Sequence, residues 1–148
     1  MTNRTYKEKC VLLVDDEPEY LEWLHDYLAA KGLSVETAES VADAIALASA
    51  SDYRLYLVDL NIPSGNWMPS SALPDVYAQY KGLNVIRYVR NQTQAGRRVV
   101  AYSAHENNDI HAAIKNLYCQ YVVKGRAKDI KIEIESVLDH DPKSKDLK

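Results

Sequence analysis

The sequence predicts an α/β fold with a parallel sheet, and three observations lead to it. Short apolar runs alternate with helical patterns from one end of the chain to the other, which is how a βα series reads. The clearest runs are continuous rather than alternating, as strands buried on both faces require. Acidic residues close two of them, at the kind of position where ligands of an open α/β sheet gather. The 148 residues make one domain with one sizeable core.

The first strand is Cys10-Val-Leu-Leu-Val14, and it stops at Asp15-Asp16. Pro18 suits the first position of a helix, where its missing N–H is not needed. Leu21, Leu24 and Leu28 form the buried stripe of that helix, and Gly32 is its stop signal. A short strand runs from about Ser34 to Ala38. Ser40 and Asp43 have capping-box spacing for a second helix, Val41 to Ala50. Leu55-Tyr-Leu-Val58 is the third strand and ends at Asp59. Leu83, Ile86 and Val89 mark the next principal helix, and Val99 to Tyr102 the fourth strand. Ile110, Ala113, Ile114 and Leu117 line another helix. Cys119 to Val123 is the fifth strand, and Ile130, Ile134, Val137 and Leu138 belong to the last helix. The count is five strands and five helices, within a domain over residues 9–139. Residues 140–148 form a short polar tail, frayed by expectation.

One stretch breaks the rhythm. Ser64 to Lys81 carries Gly65, Asn66, Pro69, serines and Pro74, a turn-rich composition. It also carries Trp67, Tyr77 and Tyr80, a large apolar payload for a loop. Asp75 to Tyr80 has room for a helical turn or two. The simplest role for these aromatics is to anchor the loop to the body.

Composition excludes several classes. A formal net charge of −3 gives no basic footprint for nucleic acid. There is no signal-peptide pattern and no run long enough to span a membrane. Cys10 and Cys119 lack metal-ligand spacing and read as reduced core residues, so a cytoplasmic location is expected. His25, His105, His111 and His140 are unclustered and read as surface residues.

The chemistry sits at the strand ends. Asp15 and Asp16 follow strand one, Asp59 follows strand three, Ser103 strand four and Lys124 strand five. With strands one, three, four and five as neighbours, all five side chains converge on one edge. Taken singly they have plainer readings: paired acids as a helix-start charge preference, Ser103 as a cap for a helix from Glu106 onward, Lys124 as a solvated lysine. Together they describe a site. Crowded carboxylates repel unless a cation neutralises them. An all-oxygen set without Cys or His favours a hard cation, and Mg²⁺ suits it when water and phosphate oxygens complete its shell. A carboxylate is also a competent nucleophile toward phosphorus.

These residues resemble the receiver domains of bacterial two-component response regulators. Val14-Asp15-Asp16-Glu17 is similar to the family's acidic pair, and Val58-Asp59-Leu60-Asn61-Ile62-Pro63 to its phosphoacceptor strand end. Tyr102-Ser103-Ala104 matches the switch hydroxyl and its small neighbour, and Tyr121-Val-Val-Lys124 the switch aromatic and the lysine. The resemblance covers about Lys9 to Asp139. It implies a flavodoxin-like (βα)5 sandwich of strand order 2-1-3-4-5. It further implies phosphorylation on Asp59, with Mg²⁺ held by Asp16, Asp59 and the Asn61 carbonyl and by Asp15 through water. Ser103 and Lys124 would bind the phosphoryl oxygens, and Tyr121 would turn inward when Ser103 moves. His105, two after Ser103, stands where the family tunes dephosphorylation, and Trp67 is a second candidate modulator.

The implied partners are a sensor histidine kinase or a histidine phosphotransfer protein, and a downstream protein partner. No nucleic-acid or membrane partner is implied, and no DNA-binding domain fits beside the receiver. Such a chain is a signalling receiver rather than an enzyme, although it assists its own phosphorylation. A receiver cut from a longer regulator is an alternative. So is an Mg²⁺-dependent phosphatase or phosphotransferase of the haloacid-dehalogenase type, but that class wants an acid two residues after the nucleophile and here the position is Asn61.

Two departures from the family stand out. Its lysine is usually followed by a cis proline, whereas Lys124 is followed by Gly125. Twenty-three positions separate Asp59 from Gly82 where the family has about 8, so about 15 residues are inserted, and loops of that length are more often functional than neutral.

Overall fold

The computed structural model describes residues 5–69, 73–92, 98–105 and 107–139. The expected tail and His140 lie outside them, as do Ser70 and Ser71 of the insertion and Glu106. The elements in order are β1 (Thr5–Val14), α1 (Glu22–Ala30), β2 (Ser34–Ala38), α2 (Val41–Ala50), β3 (Ser51–Asp59), α3 (Asp75–Gln79), α4 (Gly82–Gln92), β4 (Arg98–Ser103), α5 (Asn108–Asn116), β5 (Gln120–Val123) and α6 (Ala127–Leu138). All strand pairings are parallel and the order is β2-β1-β3-β4-β5, as the family resemblance implied. The short helix α3 is the extra turn inside the insertion.

Side-chain alternation along the strands splits the core in two. Leu12, Val14, Tyr56, Val58, Val99 and Ala101 face α2, α4 and α5, against Val41, Ala44, Leu83, Ile86, Ile110 and Ile114. Val11, Leu13, Leu55, Leu57, Val100, Tyr102 and Val122 face α1 and α6, against Leu24, Leu28, Ile130, Ile134 and Val137. Both faces of the central strands are therefore covered, which explains their uninterrupted apolar sequence.

Local signals mostly hold. The Ser40 hydroxyl accepts from the Asp43 amide at 3.1 Å and caps α2. Gly32 takes φ +82° at the end of α1, a left-handed cap that glycine adopts without strain. Pro18 opens a 3₁₀ turn over Pro18–Leu21 rather than α1 itself, which begins at Glu22.

Several strands are longer than their apolar runs. β1 begins at Thr5 because Thr5, Tyr6 and Lys7 pair with Ser51, Asp52 and Tyr53 ahead of an irregularity between Lys7 and Val11. That extension is partly solvent-facing, so no apolar run announced it. Buried Arg54 on β3 donates to the Val137 and Leu138 carbonyls, both at 3.1 Å. It meets carbonyl groups of the last turn of α6, where helical carbonyls run out of i+4 amide partners.

Candidate active site at the carboxyl edge of the sheet

The strand order reverses between β1 and β3, and this is where the acids stand. Parity along each strand decides which side chains meet, because residues two apart share a face. Asp15 continues the row Val11, Leu13 and Asp59 continues Leu55, Leu57. Tyr102 follows Val100 and Lys124 follows Val122. All four lie on the α1/α6 face, Tyr102 within its apolar core and the three charged residues just past the core's end.

The result is a compact charged cluster. Carboxylate oxygens of Asp15, Asp16 and Asp59 lie within 4.8 Å of one another. Asp15 and Asp59 are buried, at 1% and 2% exposure, while Asp16 is exposed. The Lys124 ammonium donates to Asp59 Oδ2 at 2.9 Å and lies 3.7 Å from Asp15 Oδ2. Asp59 Oδ1 accepts from the Asn61 amide at 2.9 Å, and Asp15 Oδ1 accepts from the Glu17 amide at 2.8 Å.

Two ionisation tendencies follow. Burial raises the Asp59 carboxyl above its ordinary range, against the opposing pull of Lys124 and the Asn61 amide. For Lys124, burial pulls downward, but the hydrogen bond to Asp59 and the charges of Asp59, Asp15 and Asp16 outweigh it and hold the ammonium above its usual value.

Tyr102 is the member that sequence reasoning missed. Its hydroxyl donates to Asp15 Oδ2 at 2.6 Å, and its ring centroid lies 5.7 Å from the Lys124 ammonium. Burial first, then Asp15, pushes the phenol well above its ordinary value, so it remains a donor.

The predicted switch residues lie on the other parity. The Ser103 hydroxyl, fully buried, accepts from the His105 amide at 3.0 Å. The cap of α5 is instead Asn107, whose side-chain oxygen accepts from the Ile110 amide at 2.9 Å. Ser103 meets Lys124 through the backbone, its carbonyl accepting the Lys124 amide at 2.8 Å. Tyr121 is half-buried; its hydroxyl donates to the His105 carbonyl and its ring meets His111 edge-on. His105 and His111 are exposed. After Lys124 the chain turns at Gly125, which takes φ +93° with all peptides trans among the described residues. A left-handed glycine is thus the turn device where the family has a cis proline.

The insertion is fastened at both ends. The α2 amides of Val41 and Ala42 donate to the Pro63 and Ser64 carbonyls. Gly65, at φ +67°, lies so close to Ser40 that an added Cβ would stand 2.9 Å from the serine hydroxyl. Trp67, Val76, Tyr77 and Tyr80 pack on the core, which favours the anchoring role. Tyr80 also reaches the loop after β4: its hydroxyl accepts from the Asn107 side chain at 3.2 Å, and its ring lies 6.0 Å from that of His105. Trp67 lines a cleft of about 260 Å³ between the insertion and the start of α4, with Pro69, Leu73, Tyr77 and Asn84.

The donor set fits a hard divalent cation: three carboxylates, no sulfur and no imidazole.

Comparison with known proteins agrees with this geometry. The family model of the response regulator receiver domain matches residues 11–134. The acid tolerance regulatory protein ActR of Rhizobium meliloti is 31% identical over 93 residues, 63% of this chain and 40% of that protein. The photosynthetic apparatus regulatory protein RegA of Cereibacter sphaeroides is 31% identical over 93 residues, 42% of its length. The match thus spans about two-fifths of these curated relatives. Among solved structures, a CheY-like receiver from Methanospirillum hungatei superposes with a TM-score of 0.69 at 19% identity, over 88% of this chain and 94% of that one. The response regulator TrrA of Thermotoga maritima, in complex with Mg²⁺-BeF, gives 0.64 at 23% identity, over 87% and 98%. At these identities the structural likeness shows the fold.

Proposed function

This chain belongs to the response regulator receiver domain family, and from that premise we propose that Asp59 is its phosphoacceptor, served by Lys124, Ser103, Asp15 and Asp16. The observation that carries the proposal is the cluster itself: a buried carboxylate at the end of β3, bonded by a lysine from β5 and flanked by two acids from β1.

Each residue has a derivable task. Asp59 supplies the nucleophilic oxygen: a new O–P bond forms as the bond from phosphorus to the donor breaks, leaving an acyl phosphate. Its orientation is set beforehand by the Asn61 amide on Oδ1 and Lys124 on Oδ2. Positioning of this kind, with charge neutralisation, is most of what phosphoryl transfer needs. Lys124 passes from the carboxylate to a phosphoryl oxygen as charge moves outward. The Ser103 hydroxyl leaves the His105 amide for another phosphoryl oxygen, and this frees the loop that Tyr121 holds through the His105 carbonyl. Asp16, Asp59, the Asn61 carbonyl and, through water, Asp15 would hold Mg²⁺, which would supply positive charge against the acids and the incoming phosphoryl group.

The donor is a histidine kinase or a histidine phosphotransfer protein, and the cytoplasm is the compartment that holds both. The readout surface is α5, β5 and α6, where Tyr121 lies. The insertion, tied to the loop after β4 through Tyr80, modulates this site. An acid two residues past the nucleophile is absent, since Asn61 stands there, which argues against the dehalogenase-type phosphatase reading.

Intact mass after incubation with acetyl phosphate and Mg²⁺ tests the assignment. One base-labile phosphoryl group is expected on the wild type and none on Asp59→Ala. Equal labelling of both would transfer the acceptor role elsewhere.

A further inference from the structure

We propose that Tyr102 is a positioning residue of the metal site, fixing through its hydroxyl the orientation of Asp15 and through its ring the seat of Lys124. The inference rests on the assignment of Asp15, Asp16 and Asp59 as the Mg²⁺ site.

The geometry is specific. Asp15 has two carboxylate oxygens, and each is held from a different direction. Oδ1 accepts from the Glu17 amide at 2.8 Å, two residues along the same loop. Oδ2 accepts from the Tyr102 hydroxyl at 2.6 Å, across the sheet from β4. Two anchors on opposite oxygens define the carboxylate plane; one would leave it free to rotate. The second neighbour of Oδ2 is the Lys124 ammonium at 3.7 Å, which is already bonded to Asp59 at 2.9 Å. Without the tyrosine hydroxyl, Asp15 has an open route toward Lys124. Such a swing would change the Asp15 orientation and compete with Asp59 for the lysine.

The ring contributes separately. Its centroid lies 5.7 Å from the Lys124 ammonium, within reach of a cation–π attraction. It also forms a wall of the apolar cleft made with Leu21, Trp23, Leu24 and Ile130, beside the lysine stem. Tyr102 therefore touches both halves of the site, the metal side through Asp15 and the phosphoryl side through Lys124. An aliphatic residue there would fill the core but offer no donor.

Partners of ligating carboxylates that are not ligands themselves typically change metal affinity by about 10-fold or more when removed. The test is Mg²⁺ titration of the full chain, followed by Trp fluorescence and calorimetry, for wild type, Tyr102→Phe, Tyr102→Leu and Asp16→Asn. Wild type should bind, and Asp16→Asn should bind weakly. Tyr102→Phe should bind Mg²⁺ about tenfold more weakly while its Tm stays close to wild type. Its acetyl phosphate labelling should be slow at limiting Mg²⁺ and recover at saturating Mg²⁺. The carbon-13 shift of the Asp15 carboxylate should move in the metal-free Phe variant, which reports the lost hydrogen bond without any metal. Tyr102→Leu should repeat the affinity loss and also slow labelling at saturating Mg²⁺, because the ring under Lys124 is gone.

A Phe variant with wild-type affinity and an unmoved Asp15 shift overturns the proposal. A variant that loses Tm but binds Mg²⁺ normally also overturns it, reducing Tyr102 to core packing. If the wild type itself fails to bind Mg²⁺, the site assignment fails first and this inference falls with it.

Discussion

Gly82→Ala is the perturbation that ties the insertion boundary to Asp59 most directly. Gly82 opens α4, and its amide donates to the Leu60 carbonyl at 3.0 Å. A Cβ built there would stand 2.2 Å from the Asp59 carbonyl oxygen and 2.7 Å from Leu60 Cα. Both are backbone atoms of the strand end that presents the Asp59 carboxylate, so no flexible side chain can give way. Reaching a tolerable 3.0 Å demands a displacement of at least about 0.8 Å. Overpacking of this kind costs about 1–3 kcal/mol, while alanine in place of glycine in a helix returns up to about 1 kcal/mol. A net loss of about 1 kcal/mol lowers Tm by roughly 3 °C in a chain of this size. The larger effect is on function, because a misplacement of about 1 Å at a reacting group can cost about 100-fold in rate. Acetyl phosphate labelling per folded molecule, measured with Tm on the same preparation, checks both numbers. Gly32→Ala is the control: open space surrounds that Cβ, so it pays only left-handed strain of about 1 kcal/mol and keeps the wild-type rate. A Gly82→Ala protein that labels at the wild-type rate would refute the reasoning, whatever its Tm.

Two further perturbations test the charge balance and the insertion. Burial raises the Asp59 carboxyl in the folded state, so the folded chain holds its proton more tightly than the unfolded chain, and stability falls as pH rises through that range. Asp59→Asn should therefore raise the metal-free Tm at pH 7.5 and lose that advantage below the ordinary aspartate range; an equal gain at pH 3.5 and 7.5, or none, would count against it. Replacing residues 66–79 with a short Gly-Ser link should leave the fold intact but change the phosphorylation or dephosphorylation rate; rates and kinase preference all at wild-type values would leave the insertion aromatics with anchoring alone.

Much of the fold was legible because its signals are local. Continuous apolar runs gave β3 and β4 their centres, Ser40 and Gly32 marked helix ends, and Asp75 to Tyr80 announced the extra turn inside the insertion. What the sequence hid was pairing at a distance. The Thr5–Lys7 extension of β1 is held by register with Ser51–Tyr53 and has no apolar run of its own. Asn107 rather than Ser103 caps α5, because Ser103 is still the last residue of β4 and its hydroxyl is taken by the His105 amide. Pro18 serves a 3₁₀ turn, leaving Glu22 to begin the helix proper.

Site residues were legible by chemistry only where their type is rare at a strand end. Asp15, Asp16, Asp59 and Lys124 stood out because charge rarely closes an apolar run without a reason. Tyr102 did not: it is one of eleven tyrosines in a chain without phenylalanine, so its hydroxyl carried no signal against that background. Its importance comes from parity. Asp15, Asp59, Tyr102 and Lys124 each stand two places beyond a residue packed against α1 and α6, so one face of the sheet becomes charged where its apolar row ends. Ser103 and Tyr121 stand one place out of that row, and Tyr121 packs on the opposite cluster with α5. The sheet thereby separates the charged cluster from the contacts around His105. Asp15, Asp59 and Lys124, of one parity, gather charge beside Asp16, whereas Ser103 and Tyr121, of the other, are joined through His105. The Ser103 hydroxyl and the Tyr121 hydroxyl thus meet on one residue, at the amide and the carbonyl of His105.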